Sequence, residues 1–198
     1  MGFTLEIGQK APDFNLPGTD QESHSFRSEL GRNGIIIAFT CNHCPYVIGS
    51  EERINQIHQD YSGRGIPLVA INSNAIEHYP EDDFPSMIQR ARDKKFKFAY
   101  LRDETQEVAG IYGAIKTPHF FVFNKVGLLV YRGRLDDHPK DSQLATTHEL
   151  RDALEELLEG RPITHSITEP IGCTIKWKGK EKHFIPQDVC DVIPVTKN

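Results

Sequence analysis

Residues 34–45 read GIIIAFTCNHCP, and this stretch decides the fold. Its first six residues are apolar and include three consecutive β-branched isoleucines, which is typical of a short strand buried on both faces. Cys41 and Cys44 follow as C-x-x-C. Apolar residues then recur at helical spacing up to Tyr61, and Gly63 ends the helix. The stretch therefore predicts a buried strand, a pair of thiols and a helix, in that order.

The rest of the chain continues this alternation. Strands are predicted at 66–71, 98–101, 119–123 and 128–131, and helices over 81–95, 105–113 and 142–159, with the acids at 81–83 capping the first of these. Helical crossovers imply a parallel core, and the last two strands add an antiparallel hairpin. We expect an α/β domain over residues 1–160, including an irregular leader or small hairpin, and a C-terminal extension over 161–198 packed on it.

Composition excludes several classes of protein. The 198 residues carry a net charge of −5 with scattered positive charges, so we expect neither a nucleic-acid nor a membrane partner. There is no apolar run of transmembrane length. The N-terminus lacks a basic region followed by an apolar stretch, which favours the cytoplasm.

Four cysteines are too few for a disulfide-stapled scaffold. In a reducing compartment, the Cys41–Cys44 motif indicates redox chemistry or metal binding rather than a structural bridge.

Further motifs carry a family resemblance. The leader IGQKAPDF over 7–14 is similar to the opening of the alkyl hydroperoxide reductase and thiol-specific antioxidant superfamily, and Thr117-Pro118 stands where thioredoxin-like proteins carry a cis-proline. The other motifs are YLRD at 100–103, QEVA at 106–109, YGA at 112–114, YRGRLDD at 131–137 and GCTIKW at 172–177. Over residues 5–178 the chain resembles the peroxiredoxin-like thioredoxin-fold family, which implies a thioredoxin-like fold with a central mixed sheet.

The chain also departs from that family. The resemblance aligns Cys44 with the peroxide-reactive cysteine of true peroxiredoxins, which carry Thr or Ser three residues earlier, where this chain has Cys41. Those enzymes also place an Arg before the late strand, where this chain has Thr117-Pro118. Both groups orient the peroxide, so we expect inefficient peroxidase activity. Thioredoxins have Trp before the first cysteine, and this chain has Thr40.

Disulfide exchange requires an ionised sulfur that a substrate can reach. We predict that Cys41, at a helix N-terminus and open to solvent, is the nucleophile and that Cys44 resolves the mixed disulfide. An imidazolium at His43 would stabilise the thiolate and make the reduction potential less negative than that of thioredoxin. The alternatives without a redox role are that the cysteines are an inert pair in the core and that His43 is a solvated loop residue.

A substrate-binding role is expected for Thr117, Pro118 and His119. A cis Pro118 would leave the Thr117 backbone free to pair with an extended substrate segment, and His119 would line the same groove. Cys173 is either a third redox cysteine or a packing residue of the extension, and Cys190 is expected to be incidental.

The sequence thus predicts a thiol–disulfide oxidoreductase with an antioxidant role and no cofactor. Its expected partners are protein or small-molecule thiols and disulfides, together with an unidentified reductant. The alternatives are a thiol peroxidase using Cys44, a redox-inactive module binding at Pro118, and a C-x-x-C metal carrier. A zinc site would need two further ligands, and Cys173 and Cys190 are too widely spaced to form a second C-x-x-C.

Overall fold

In the computed structural model of the chain, residues 4–179 are described. The strands are β1 (Asn15–Pro17), β2 (Ser23–Ser25), β3 (Gly34–Thr40), β4 (Leu68–Asn72), β5 (Ala99–Arg102), β6 (Lys116–Thr117), β7 (His119–Asn124), β8 (Leu129–Gly133) and β9 (Cys173–Thr174). The helices are α1 (Phe26–Glu29), α2 (Pro45–Ser62), α3 (Phe84–Asp93), α4 (Glu107–Tyr112) and α5 (Glu149–Leu158), and a 3₁₀ turn spans Pro80–Asp82. None of these helices is long and apolar enough to cross a membrane.

Five strands form one mixed sheet in the order β5-β4-β3-β7-β8. β3, β4 and β5 are parallel, whereas β7 runs antiparallel to β3 and forms a hairpin with β8. The predicted parallel core with an antiparallel edge is therefore confirmed. Separate antiparallel pairs join β1 to β2 and β6 to β9.

The central strand β3 is buried on both faces, as its unbroken apolar run predicts. Ile36 and Ala38 point into a core built with α2, α3 and α5. Ile37 and Phe39 point to the opposite face, which is covered by α4, the leader and Ile175 of the C-terminal extension. The strand therefore holds the residues that follow it between two packed layers.

The largest difference from the predicted boundaries is at the last helix. The last helix was expected from residue 142, but α5 begins at Glu149. The Asp137 carboxylate accepts hydrogen bonds from the backbone N–H groups of Thr146 and Thr147, and these bonds hold the preceding segment as a loop. Such side-chain bonds compete with the helical ladder.

The leader and the extension both attach to the main sheet. The leader forms the β1–β2 hairpin and contacts the sheet at Lys10 and Gly18, each through an isolated bridge. The extension is described up to residue 179 and bridges from Ile167 to β8 before it enters β9. Cys190 lies outside the described residues.

Candidate functional site

The two cysteines of the motif lie between β3 and α2. Because α2 begins at Pro45, Cys44 rather than Cys41 directly precedes the helix, and its carbonyl accepts the N–H of Ile48 at 2.9 Å. Proline is tolerated at this first helical position, since the N–H that it lacks would have no intrahelical partner. The helix N-terminus therefore favours negative charge at the Cys44 sulfur more than at the Cys41 sulfur.

Both sulfurs are buried. Cys41 is 2% exposed and Cys44 is fully buried, so the expectation of a solvent-open nucleophile is wrong for this conformation. The cover is formed by Val47, Tyr46 and Cys173, which pack against the pair. The three thiols of Cys41, Cys44 and Cys173 are all free.

Thr117 contacts both cysteines of the motif. Its hydroxyl lies 3.3 Å from the Cys41 sulfur, and its carbonyl oxygen lies 3.2 Å from the Cys44 sulfur. The Thr117–Pro118 peptide bond is cis, as the resemblance implied. The predicted neighbourhood of Thr117, Pro118 and the two cysteines is therefore present.

The backbone of Thr117 is not free. β6 pairs antiparallel with β9, which places Cys173 opposite Thr117. The extension thus occupies the position where an extended substrate segment was expected to bind. In its place it presents a third sulfur to the pair.

The three thiols differ in pKa because their neighbours and their burial differ. Hydrogen bonding from Cys173, and then from Cys41, lowers the pKa of Cys44. Burial raises the pKa of Cys41 well above its usual range, and the nearby Asp82 carboxylate adds to the shift. The hydrogen bond to Cys44 raises the pKa of Cys173. These contacts favour Cys44 as the first thiol to ionise.

His43 lies beside the pair but faces away from solvent. Its Nδ1 is 2.5 Å from a carboxylate oxygen of Asp82, and its ring stacks on Tyr79 with centroids 4.1 Å apart. The side chain is 12% exposed. His43 is therefore an ordered part of the site rather than a solvated loop residue.

Asp82 lies in the site, although the run of acids at 81–83 predicts a helix cap. The cap is formed by Asp83, whose carboxylate accepts the N–H of Ser86 at 2.7 Å. Asp82 is fully buried and accepts the backbone N–H of Asn42 at 2.6 Å. The side-chain amides of Asn72 and Asn74 donate to it at 3.2 and 2.9 Å.

Burial alone would raise the pKa of Asp82, but its hydrogen bonds, led by that with His43, keep the pKa below its usual value. The carboxylate therefore remains charged next to the cysteines. In the sequence around Asp82, the only sign of this buried role is the run of acids at 81–83. The pattern does not distinguish a capping residue from a site residue.

His119 does not line a surface groove. It is 1% exposed and its ring lies against Phe121, with centroids 4.4 Å apart. His119 pairs with Phe39 in the sheet register, and strand alternation turns its side chain into the packed layer. Neither ring nitrogen has a hydrogen-bond partner within residues 4–179, and burial lowers the pKa of His119 to about 3.

Cys41, His43 and Asp82 could together hold a metal ion, since their ligand atoms lie within 4.8 Å of one another. The Asp82 oxygens, however, already accept four hydrogen bonds, from Asn42, His43, Asn72 and Asn74. A metal would have to displace some of these donors. The same atoms serve the hydrogen-bond network without an ion.

Comparison with solved structures supports the fold. The chain is 40% identical to an uncharacterized conserved protein from Geobacillus kaustophilus, with a TM-score of 0.83 over 89% of this chain and 94% of that one. A hypothetical protein from Sinorhizobium meliloti is 32% identical, with a TM-score of 0.83 over 89% and 97% of the two chains. The thioredoxin-like fold is therefore shared along most of the chain.

A more distant structure has the same fold. The peroxidoxin BcpB from Mycobacterium tuberculosis is 14% identical, with a TM-score of 0.60 over 79% of this chain and 97% of that one. No curated protein matches the chain. The family model of the AhpC/TSA family matches residues 7–132, which include both cysteines of the motif and Thr117-Pro118. On this match, the chain belongs to the AhpC/TSA family.

Proposed function

We propose that this protein is a thiol–disulfide oxidoreductase that exchanges disulfides through Cys41 and Cys44, in an antioxidant role. The observation that carries the proposal is the pair of free thiols packed together at the start of α2, both in contact with Thr117 before a cis-proline. Family membership supports thiol redox chemistry in general, and the spacing of the two cysteines supports disulfide exchange.

The reaction consists of two displacements. The Cys44 thiolate attacks one sulfur of a substrate disulfide, and the other substrate sulfur leaves as a thiolate that takes up a proton. Cys41 then loses its proton and attacks the Cys44 sulfur, which forms the Cys41–Cys44 disulfide and releases the second substrate thiol. Two electrons have passed to the substrate, and an external thiol reductant returns them to the pair.

This order changes the roles assigned from the sequence, where Cys41 attacks first. The reason is the position of Cys44 next to α2 and its neighbours Cys173 and Cys41, which lower its pKa. Thr117 would keep the substrate-positioning role, but only when β9 leaves its backbone. The same pairing occupies the edge of β6 at which a redox-inactive module was expected to bind, so that alternative also requires β9 to leave.

The test is a count of thiols in the oxidised and reduced full-length protein. One equivalent of diamide should remove two thiols, dithiothreitol should restore them, and peptide mapping should recover a Cys41–Cys44 disulfide. Cys41→Ser and Cys44→Ser should each abolish that disulfide, while Cys190→Ser serves as the matched control and leaves it unchanged. Unchanged thiol counts after diamide treatment would refute the proposal, and stoichiometric metal in the purified protein would favour the metal carrier.

A peroxidase using Cys44 is the second candidate, because a thiolate at the start of a helix is also the group that attacks peroxide. In residues 4–179, however, no arginine hydrogen-bonds Cys44, whose sulfur donates to the Thr117 carbonyl at 3.2 Å. A peroxidase should consume hydrogen peroxide rapidly, lose that activity in Cys44→Ser and retain its first turnover in Cys41→Ser. Slow consumption in the wild type leaves disulfide exchange as the function.

His43 should tune the reduction potential of the pair. If its positive charge stabilises the Cys44 thiolate, His43→Gln should make the potential more negative by tens of millivolts, since roughly 30 mV corresponds to 1.4 kcal/mol. Glutamine keeps a donor for Asp82 and removes the charge. Equilibration with glutathione buffers measures the potential, and an unchanged value would remove this role for His43.

A further inference from the structure

The C-terminal extension meets the redox pair in the manner of a bound substrate. β9 lies antiparallel to β6, immediately before the cis Thr117–Pro118 bond, with Cys173 opposite Thr117. Cys173 packs in one cluster with Cys44 and Cys41. A cysteine held on an extended strand beside a redox dithiol is in the position of a substrate cysteine, except that it belongs to the same chain.

β9 lies close to the backbone of Thr117. A Cβ atom on Gly172 would lie 2.1 Å from the Thr117 carbonyl oxygen, much closer than two such atoms can approach. Glycine at 172 therefore allows the strand to lie against Thr117 and bring the next residue to the cysteines. Beyond β9, Ile175 is buried in the core and anchors the extension, and the backbone N–H of Lys176 donates to the Asn74 side chain at 2.9 Å.

The three sulfurs differ in their exposure to solvent. Cys41 and Cys44 are buried, whereas Cys173 is half-buried at the surface. An external thiol or disulfide therefore meets Cys173 before it can meet the C-x-x-C pair. A merely structural cysteine would not need a strand that holds its sulfur against Cys44.

We propose that Cys173 is the surface end of a three-cysteine relay, through which a disulfide passes between the buried Cys41–Cys44 pair and an external thiol. The proposal rests on the proposed function, because it needs a redox-active Cys41–Cys44 pair. It adds a residue that contacts the external substrate and a route by which electrons enter the buried site.

Each step exchanges one S–S bond for another. The Cys173 thiolate attacks the Cys44 sulfur of the Cys41–Cys44 disulfide, a Cys44–Cys173 bond forms, and Cys41 leaves as a thiolate and takes up a proton. An external thiolate then attacks the Cys173 sulfur, and Cys44 leaves as its thiolate. A second external thiol resolves the mixed disulfide on Cys173, so that two external thiols are oxidised to one disulfide and the three cysteines are reduced.

The charges around Cys173 suit its attack. Its hydrogen bond to Cys44 is the largest cause that raises its pKa, and that cause disappears once Cys44 is in a disulfide. Burial still raises the pKa of Cys173, and the positive charges of Lys176 and Lys140 oppose that effect. Formation of the first disulfide therefore activates the third cysteine.

The test uses the full-length protein in a Cys190→Ser background, with reduced glutathione as the external thiol. After diamide oxidation, the Cys173→Ser chain should still form the Cys41–Cys44 disulfide, but glutathione should reduce it at least about tenfold more slowly than in the parent. The Cys41→Ser chain should accumulate an intramolecular Cys44–Cys173 disulfide, identified by peptide mapping. Gly172→Ala keeps all three sulfurs and should impair both results, because the added methyl group displaces β9 from Thr117.

The outcomes separate the two proposals. Absence of a Cys41–Cys44 disulfide in the parent would refute the proposed function itself. A Cys173→Ser chain that forms this disulfide and is reduced by glutathione at the parental rate would overturn the relay alone. A Cys41→Ser chain that yields only a mixed disulfide with glutathione at Cys44 would overturn it too.

Discussion

Replacing Asp82 with alanine should lower the free energy of unfolding by about 3–5 kcal/mol, the range found when one member of a buried ionic network is removed. The carboxylate is fully buried and accepts hydrogen bonds from Asn42, His43, Asn72 and Asn74. Its removal leaves these donors without their partner in a region closed to water, where each unsatisfied group costs about 1–3 kcal/mol. Urea denaturation at neutral pH measures the loss.

The neighbouring Asp83 provides the matched control. It caps α3 through the N–H of Ser86 without joining the buried network, so Asp83→Ala should cost only about 1 kcal/mol. Similar losses in the two variants would show that the buried network around Asp82 adds no more stability than a helix cap.

The effect of Asp82 should also depend on pH. Its pKa is lower in the folded protein than in the unfolded chain, because its hydrogen bonds outweigh the opposing effect of burial. The stability that it contributes is therefore complete above the unfolded pKa of about 3.9 and is lost as the pH falls through the folded pKa. The difference between wild type and Asp82→Ala should shrink on acidification.

The second large effect concerns which thiol is ionised. In the reduced protein, one thiolate should titrate well below the usual cysteine value of about 8.5, and Cys44→Ser should remove it. Cys173→Ala should raise the pKa of Cys44, because it deletes the first of the hydrogen bonds that lower it. Ultraviolet thiolate absorbance against pH measures these values without requiring a reagent to reach the buried sulfurs.

Cys41→Ser is the control for this titration. Burial raises the pKa of Cys41, and the serine hydroxyl keeps a donor beside Cys44, so a low-pH titration should remain in this variant. A low-pH thiolate that survives in Cys44→Ser and vanishes in Cys41→Ser would restore Cys41 as the nucleophile, as the sequence predicts.

The predicted order of strands and helices agrees with the structure because each element carries a local pattern. The apolar run of β3, the helical spacing of α2 and the hairpin of β7 and β8 are readable from neighbouring residues. The start of α5 was misjudged because Asp137 bonds backbone groups nine and ten residues later, which no short pattern reports.

The sequence by itself determined that a strand, a dithiol and a helix follow one another, and that Thr117-Pro118 stands before the late strand. Only the tertiary structure decided how the pair is covered and charged. Cys41 contacts Thr117, which lies 76 positions later in the sequence, and His43 contacts Asp82, which lies 39 positions later. β9 reaches Thr117 from the end of the described chain. The physical reason is that periodicity and capping act within a few residues, whereas the burial and ionisation of a sulfur depend on every element that the fold packs around it.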